Sequence, residues 1–182
     1  MNIRNTEQLV DYINHGNSVK YLCFWGHQKP KNGISKSCFS QWYDSPFQES
    51  GNHFLTAEHY MMYEKAKLFG DDSAAERLLS ATNPGEAKAI GREVVGFDEN
   101  KWLENRFDIV VRANLAKFNN NPELKDFLVN TGNRVLVEAS PVDKVWGIGL
   151  STDSPSAENP NLWKGLNLLG FALMEVRNQL VG

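Results

Sequence analysis

The apolar positions of this chain fall in short runs between polar punctuation, and the punctuation is mostly helical in kind. Asn5 or Thr6 can cap a first short helix ending near Gly16, after which Tyr21-Leu22-Cys23-Phe24-Trp25 reads as a buried strand closed by Gly26. His27 to Lys36 is polar, basic and glycine-containing, the composition of a loop. Cys38 to Tyr43 and Phe47 to Leu55 read as short extended pieces divided by Pro46 and Gly51. Thr56 opens a helix, and Ser73 with Glu76 and Asn83-Pro84-Gly85-Glu86 both have the capping-box form, so two more helices are expected. The longest helical pattern runs from about Asn100 to Phe118 with Trp102, Phe107, Val110, Val111 and Leu115 inward. Asn121-Pro122 opens another helix that ends near Gly132, and Val135-Leu136-Val137 is a short strand. The last helix, about Leu166 to Leu180, carries Leu166, Leu169, Leu173 and Leu180 near helical spacing. The pattern predicts an α+β fold, predominantly helical and a single domain over residues 1–182, with a small β-sheet from Tyr21 to Trp25, Phe47 to Leu55 and Val135 to Val137.

Composition narrows the function without choosing it. At 182 residues, 41% hydrophobic and 23% charged, the chain has enough material for one substantial core, and a net charge of -3 provides no basic field for holding a nucleic-acid duplex. No apolar run approaches the roughly 20 residues of a membrane helix. Met1 to Asp11 lacks a basic start followed by an apolar block, so a cytoplasmic protein is expected, with no membrane partner. Cys23 and Cys38 have no zinc-site spacing and read as buried thiols. His15, His27, His53 and His59 show no ligand spacing either, so neither a metal nor a cofactor is expected.

Two stretches hold the candidate chemistry. In Thr56 to Lys67, Glu58 and Lys65 are two helical turns apart and emerge within about 20° of each other around the axis. A Lys beside Met61 and Met62 can be desolvated, which lowers its pKa and frees a neutral amine for covalent chemistry, while a nearby carboxylate moves protons. The same residues also suit simple helix chemistry, with Thr56 as N-cap, Glu58 in the first turn and Lys65 and Lys67 in the last. The second stretch, Glu138 to Gly165, is a long loop holding Glu138, Ser140, Asp143, Trp146, Gly147, Gly149, Asp153 and Trp163. A loop of this length in a compact domain is usually functional or disordered, and the glycines beside Trp146 suit a folded turn that lets backbone come close to a ligand. For Asp143 a surface turn acid, and for Trp146 a core aromatic, are the alternatives.

Phe39-Ser40-Gln41-Trp42-Tyr43 with Ser45-Pro46-Phe47, followed by Thr56-Ala57-Glu58-His59-Tyr60-Met61-Met62 and Lys65-Ala66, resembles the opening signature of the NADAR, or YbiA-like, family. Asn83-Pro84, Gly91-Arg92, Trp102, Val111-Arg112-Ala113-Asn114, Lys117-Phe118, Leu136 to Ser140, Asp143, Trp146-Gly147 and Asn167 to Gly170 continue it in order, over about Tyr21 to Leu180. The family often has Asn where Gln41 stands and an acid where Ile148 stands. The resemblance implies an N-glycosidase. Its substrate would be a phosphorylated ribosylaminopyrimidine intermediate of riboflavin biosynthesis or, alternatively, ADP-ribosylated guanine in nucleic acid or nucleotide; a non-catalytic ADP-ribose-binding module is a further reading. Both substrates join an anomeric carbon to an exocyclic amine, so ring opening to an imine is accessible, and Lys65 is the candidate nucleophile at that carbon. Glu58 is assigned proton transfer and Asp143 the steadying of the cationic centre, with Trp102 and Trp146 walling the base. The rival route is direct hydrolysis with Glu58 or Asp143 activating water. Gly147 and His59 complete the expected binding set, and Asn83 with Arg92 is expected to meet the phosphate; the alternatives are Asn83 as a plain helix cap and His59 as a satisfied supporting residue.

Overall fold

The computed structural model describes residues 2–182. In chain order the elements are α1 (Thr6–Asn14), β1 (Tyr21–Phe24), a 3-10 turn (Lys36–Phe39), β2 (Phe47–Glu49), β3 (Asn52–Phe54), α2 (Ala57–Leu68), α3 (Asp72–Ser80), α4 (Pro84–Arg92), α5 (Glu99–Asn120), α6 (Pro122–Val129), β4 (Val135–Glu138), a second 3-10 turn (Pro160–Leu162) and α7 (Leu168–Val181). The fold is α+β and mainly helical, and none of its described helices is long and apolar enough to cross a membrane. Two compact units divide the chain: Gln41–Pro122 forms one, and the residues up to Ser40 together with Glu123–Gly182 form the other.

In the middle unit, α2 packs against α3, α4 and α5. Phe47, Phe54 and Tyr60 are buried with Ala57, Ala113 and Ala116, and Tyr63 packs onto them from the side. β2 and β3 form a tight hairpin with Phe47 opposite Phe54, and the turn residues Ser50 (φ 49) and Gly51 (φ 79) take the left-handed conformation that a two-residue hairpin turn demands. Helix α3 begins one turn of logic away from expectation: Asp71 and not Ser73 is its cap. The Asp71 carboxylate serves two backbone donors with separate oxygens, Ala74 N–H at 3.0 Å through Oδ1 and Val95 N–H at 2.9 Å through Oδ2.

The terminal unit is built around β1 and β4, which run parallel with Tyr21 opposite Val135 and Phe24 opposite Glu138. Val135, Leu136 and Val137 are all fully buried, with α7 packed against their strand. Asn167, left-handed at φ 52 and fully buried, locks the entry to α7: its Oδ1 accepts from Glu138 N–H and its Nδ2 donates to the Leu136 carbonyl, both at 2.9 Å. An asparagine here supplies the donor and acceptor that a neighbouring strand would.

Several expectations change. The strands make two separate two-stranded sheets, not one, because β2 finds its partner across its own hairpin and β1 finds β4. The first strand ends at Phe24, and Trp25 is 57% exposed. Cys38 sits in a 3-10 turn, capped by the Ser35 side chain, and not in an extended piece. Leu166 is outside α7 and exposed, since the helix starts only after the Asn167 kink; Cys23 is only half-buried.

Candidate active site

Thr56 starts α2 as read from the sequence, its hydroxyl accepting from His59 N–H. Ala57 to Met62 are all buried, so the first half of the helix is enclosed on every side and not along one stripe. Glu58 is 5% exposed, and its N–H donates to the Gln41 carbonyl at 3.0 Å. Two turns on, Lys65 is half-buried, and its Nζ donates to the Gly91 carbonyl on α4 at 2.7 Å. The same Nζ lies 4.8 Å from the centre of the Phe97 ring and 5.5 Å from that of Trp102. Burial pushes the Lys65 ammonium below its ordinary pKa, and the Glu58 carboxylate pulls it part of the way back. Burial thus favours the neutral amine, while Glu58, the Gly91 carbonyl and the two rings favour the ammonium.

The structure supplies the reason Gly91 stands where it does. A Cβ on Gly91 would overlap the Met62 side chain, so glycine is what lets α4 approach α2 closely enough to offer its carbonyl to Lys65.

Both ring nitrogens of His59 are engaged within the protein. Its Nε2 contacts the Ala81 carbonyl at 3.0 Å and its Nδ1 the Thr56 hydroxyl at 2.7 Å. A carbonyl only accepts, so Nε2 carries the proton and Nδ1 accepts from Thr56. Burial holds the imidazole pKa below its ordinary value, with the Ala81 bond opposing. Asn83 caps α4 through a 2.9 Å bond from Glu86 N–H, and Arg92 is an exposed residue at the other end of the same helix, about 12 Å along the axis. Asn83 and Arg92 thus stand at opposite ends of α4.

Nothing in the sequence marks Phe97 as a neighbour of Lys65. Its place immediately before Asp98, the cap of α5, is that of an ordinary hydrophobic staple, and no other signal marks it. A second unsignalled feature is the buried amide pair Gln41 and Asn114. Asn114 Nδ2 donates both to the Val110 carbonyl at 2.9 Å and to Gln41 Oε1 at 2.8 Å, leaving Gln41 Nε2 and Asn114 Oδ1 buried without protein partners. The Val110 bond fixes which way the Asn114 amide faces, and Gln41 must then present its oxygen.

In the terminal unit, Asp143 organises the loop between β4 and α7. Its Oδ1 accepts from both Val145 N–H and Trp146 N–H at 2.8 Å, and its own N–H donates to Ser140 Oγ at 3.1 Å. Gly147 is buried, and a Cβ there would stand 2.9 Å from the Glu138 carbonyl and 3.0 Å from that of Asp143. The backbone that this glycine admits is the protein's own, at Glu138 and Asp143. Trp146 is half-buried, and its carbonyl accepts from Leu169 N–H at the start of α7.

Comparison with known proteins adds the following. The NADAR domain family model matches residues 23–181. N-glycosidase R617 of Acanthamoeba polyphaga mimivirus is 40% identical over 165 residues, 88% of this chain and 96% of the relative. The chloroplastic riboflavin biosynthesis protein PYRR of Zea mays is 36% identical over 145 residues, 74% of this chain but only 21% of that protein. Among solved structures, the NMR structure of the E. coli protein YbiA is similar with a TM-score of 0.68 at 26% identity, covering 89% of this chain and 85% of that one.

Proposed function

The chain belongs to the NADAR domain family, and from that premise we propose that it hydrolyses the bond between a ribose phosphate and the exocyclic amine of a ribosylaminopyrimidine of riboflavin biosynthesis. The coarser class, a hydrolase acting on N-glycosyl compounds, follows from relatives that carry that activity in their names. The substrate follows the riboflavin biosynthesis names of two relatives, and the observation that carries the chemical route is the setting of Lys65: a half-buried amine near two aromatic rings, on the helix that also bears the buried Glu58. A partly desolvated amine suits exchange at an imine carbon.

In the proposed sequence the glycosylamine opens to its imine, and the neutral Lys65 amine adds to the anomeric carbon. A proton passes to the substrate nitrogen, the carbon–nitrogen bond to the pyrimidine breaks, and the base departs as a free amine. The Lys65–sugar Schiff base then takes up water, and collapse of the adduct returns the amine and releases the sugar phosphate. Glu58 is the proton carrier in both halves. Asp143, Trp146 and Gly147 enter as the residues that fix the shape of the loop after β4, and Asn83 as the cap of a helix N-terminus suited to an anion.

Borohydride reduction in the presence of ribosylaminouracil phosphate tests the proposal, with a sugar adduct on Lys65 expected by mass spectrometry. Absence of the adduct, together with an active Lys65→Ala variant, would overturn the covalent route. Release of ADP-ribose from ADP-ribosylated guanosine, without turnover of the pyrimidine, would move the substrate to the second class.

A further inference from the structure

We propose that Phe97 is a positioning residue for the Lys65 amine, its ring forming with that of Trp102 an aromatic clamp about Nζ. The inference rests on reading Lys65 as the amine of the site. Phe97 is 48% exposed, so its ring gains little from burial where it stands. It is nevertheless held firmly. Its ring packs on Phe69 with centroids 5.3 Å apart, and the preceding backbone is tied down by the Val95 N–H bond to Asp71. Gly96 turns the chain at φ 76, and the space beside its Cα is closed by the Phe69 carbonyl, 3.3 Å from where a Cβ would be.

What this ring meets is a cation. Nζ lies 4.8 Å from its centre and 5.5 Å from that of Trp102, within the range where the negative face of a ring attracts an ammonium. The groups around Nζ come from four places: Glu58 from its own helix, the Gly91 carbonyl from α4, Phe97 from the loop between α4 and α5, and Trp102 from α5. Burial favours the neutral amine, while the rings and Glu58 favour the charged form. Phe97 thus aims the amine while it is charged and sets how much of it is free to attack at a given pH.

The test measures the amine directly. The rate of Lys65 acetylation by acetic anhydride, read by mass spectrometry across pH, gives its titration midpoint in the wild type, Phe97→Leu and Phe97→Tyr. Phe97→Leu is expected to move the midpoint down by about half a pH unit, the size of one exposed cation–π contact, and Phe97→Tyr to leave it in place. The acid limb of kcat/KM should move with it. An unmoved midpoint in Phe97→Leu, or an equal displacement in Phe97→Tyr, would overturn the proposal. If Phe97→Leu does not fold, Phe97→Met carries the same comparison, since it also keeps apolar bulk without a ring face. Because acetylation needs no turnover, a missing borohydride adduct would refute the covalent route and leave this result standing.

Discussion

Lys65 and Gly91 are joined by a 2.7 Å hydrogen bond from the Lys65 ammonium to the Gly91 carbonyl, across the contact of α2 with α4. The bond depends on close helix packing at Met62, where a Cβ on Gly91 would collide. Gly91→Ala is expected to destabilise the fold by about 1–3 kcal/mol, the usual range for overpacking, and to loosen Lys65. Met62→Ala in the same chain should relieve the collision and return part of the bond's effect on Lys65 titration. Denaturant unfolding of the two single variants and the double variant reads the coupling.

Glu58→Gln should lower kcat by about 10² to 10⁴ while leaving KM close to its wild-type value, because the amide fills the same space but moves no proton. A variant with unchanged kcat and raised KM would assign Glu58 to substrate binding instead.

His59 makes stability depend on pH. Its folded-state pKa lies below the unfolded value of about 6.5, so the unfolded chain binds the proton more readily. Stability from this residue is therefore full above about pH 6.5 and falls as pH drops through the window between the unfolded and folded values. Thermal unfolding of wild type and His59→Gln between pH 5 and pH 8 should show a slope in the first that flattens in the second, the numbers of the window following the ordinary imidazole range of about 6.5.

Breaking one side of the buried amide pair should cost more than removing both. Asn114→Leu strands Gln41 Oε1 beside an already unpartnered Nε2, for an expected loss of about 1–3 kcal/mol. Adding Gln41→Leu removes the stranded groups and should recover most of that loss. The Glu58 N–H bond survives in both, since it uses the Gln41 backbone carbonyl.

Asn167→Asp should be among the most damaging single-atom changes. Its Oδ1 bond to Glu138 N–H is retained, but Nδ2 becomes an oxygen facing the Leu136 carbonyl, in a fully buried position. An expected loss of about 2 kcal/mol or more follows from a buried charge losing a donor, measured by thermal unfolding against Asn167→Gly, which keeps the left-handed backbone but loses both bonds.

The helices of the middle unit are legible in sequence because capping acts over three or four residues: Thr56 reaches His59 N–H, and Asn83 reaches Glu86 N–H. The face shared by Lys65 and Glu58, two turns apart, is legible from helical periodicity. The nearness of Phe97 is not, since it is a ring-to-amine contact between a loop and a helix distant in sequence. Nor is the division of the strands into two sheets, because Tyr21 and Val135 carry no local mark of their pairing. Gly147 shows the limit from the other side: a glycine beside a tryptophan signals close approach, but what approaches is decided by the fold of Ser140 to Asp143.

The parallel pairing of β1 with β4 also sets a schedule. Gln41–Pro122 is contiguous, so its contacts become available as soon as it is made, whereas Tyr21–Phe24 is synthesised early and its partner Val135–Glu138 late. At the usual rate of translation the interval is roughly 6 to 23 seconds. During it the hydrogen-bonding edge of the first strand has only water or another chain to meet, so the earliest strand made is among the last to be satisfied.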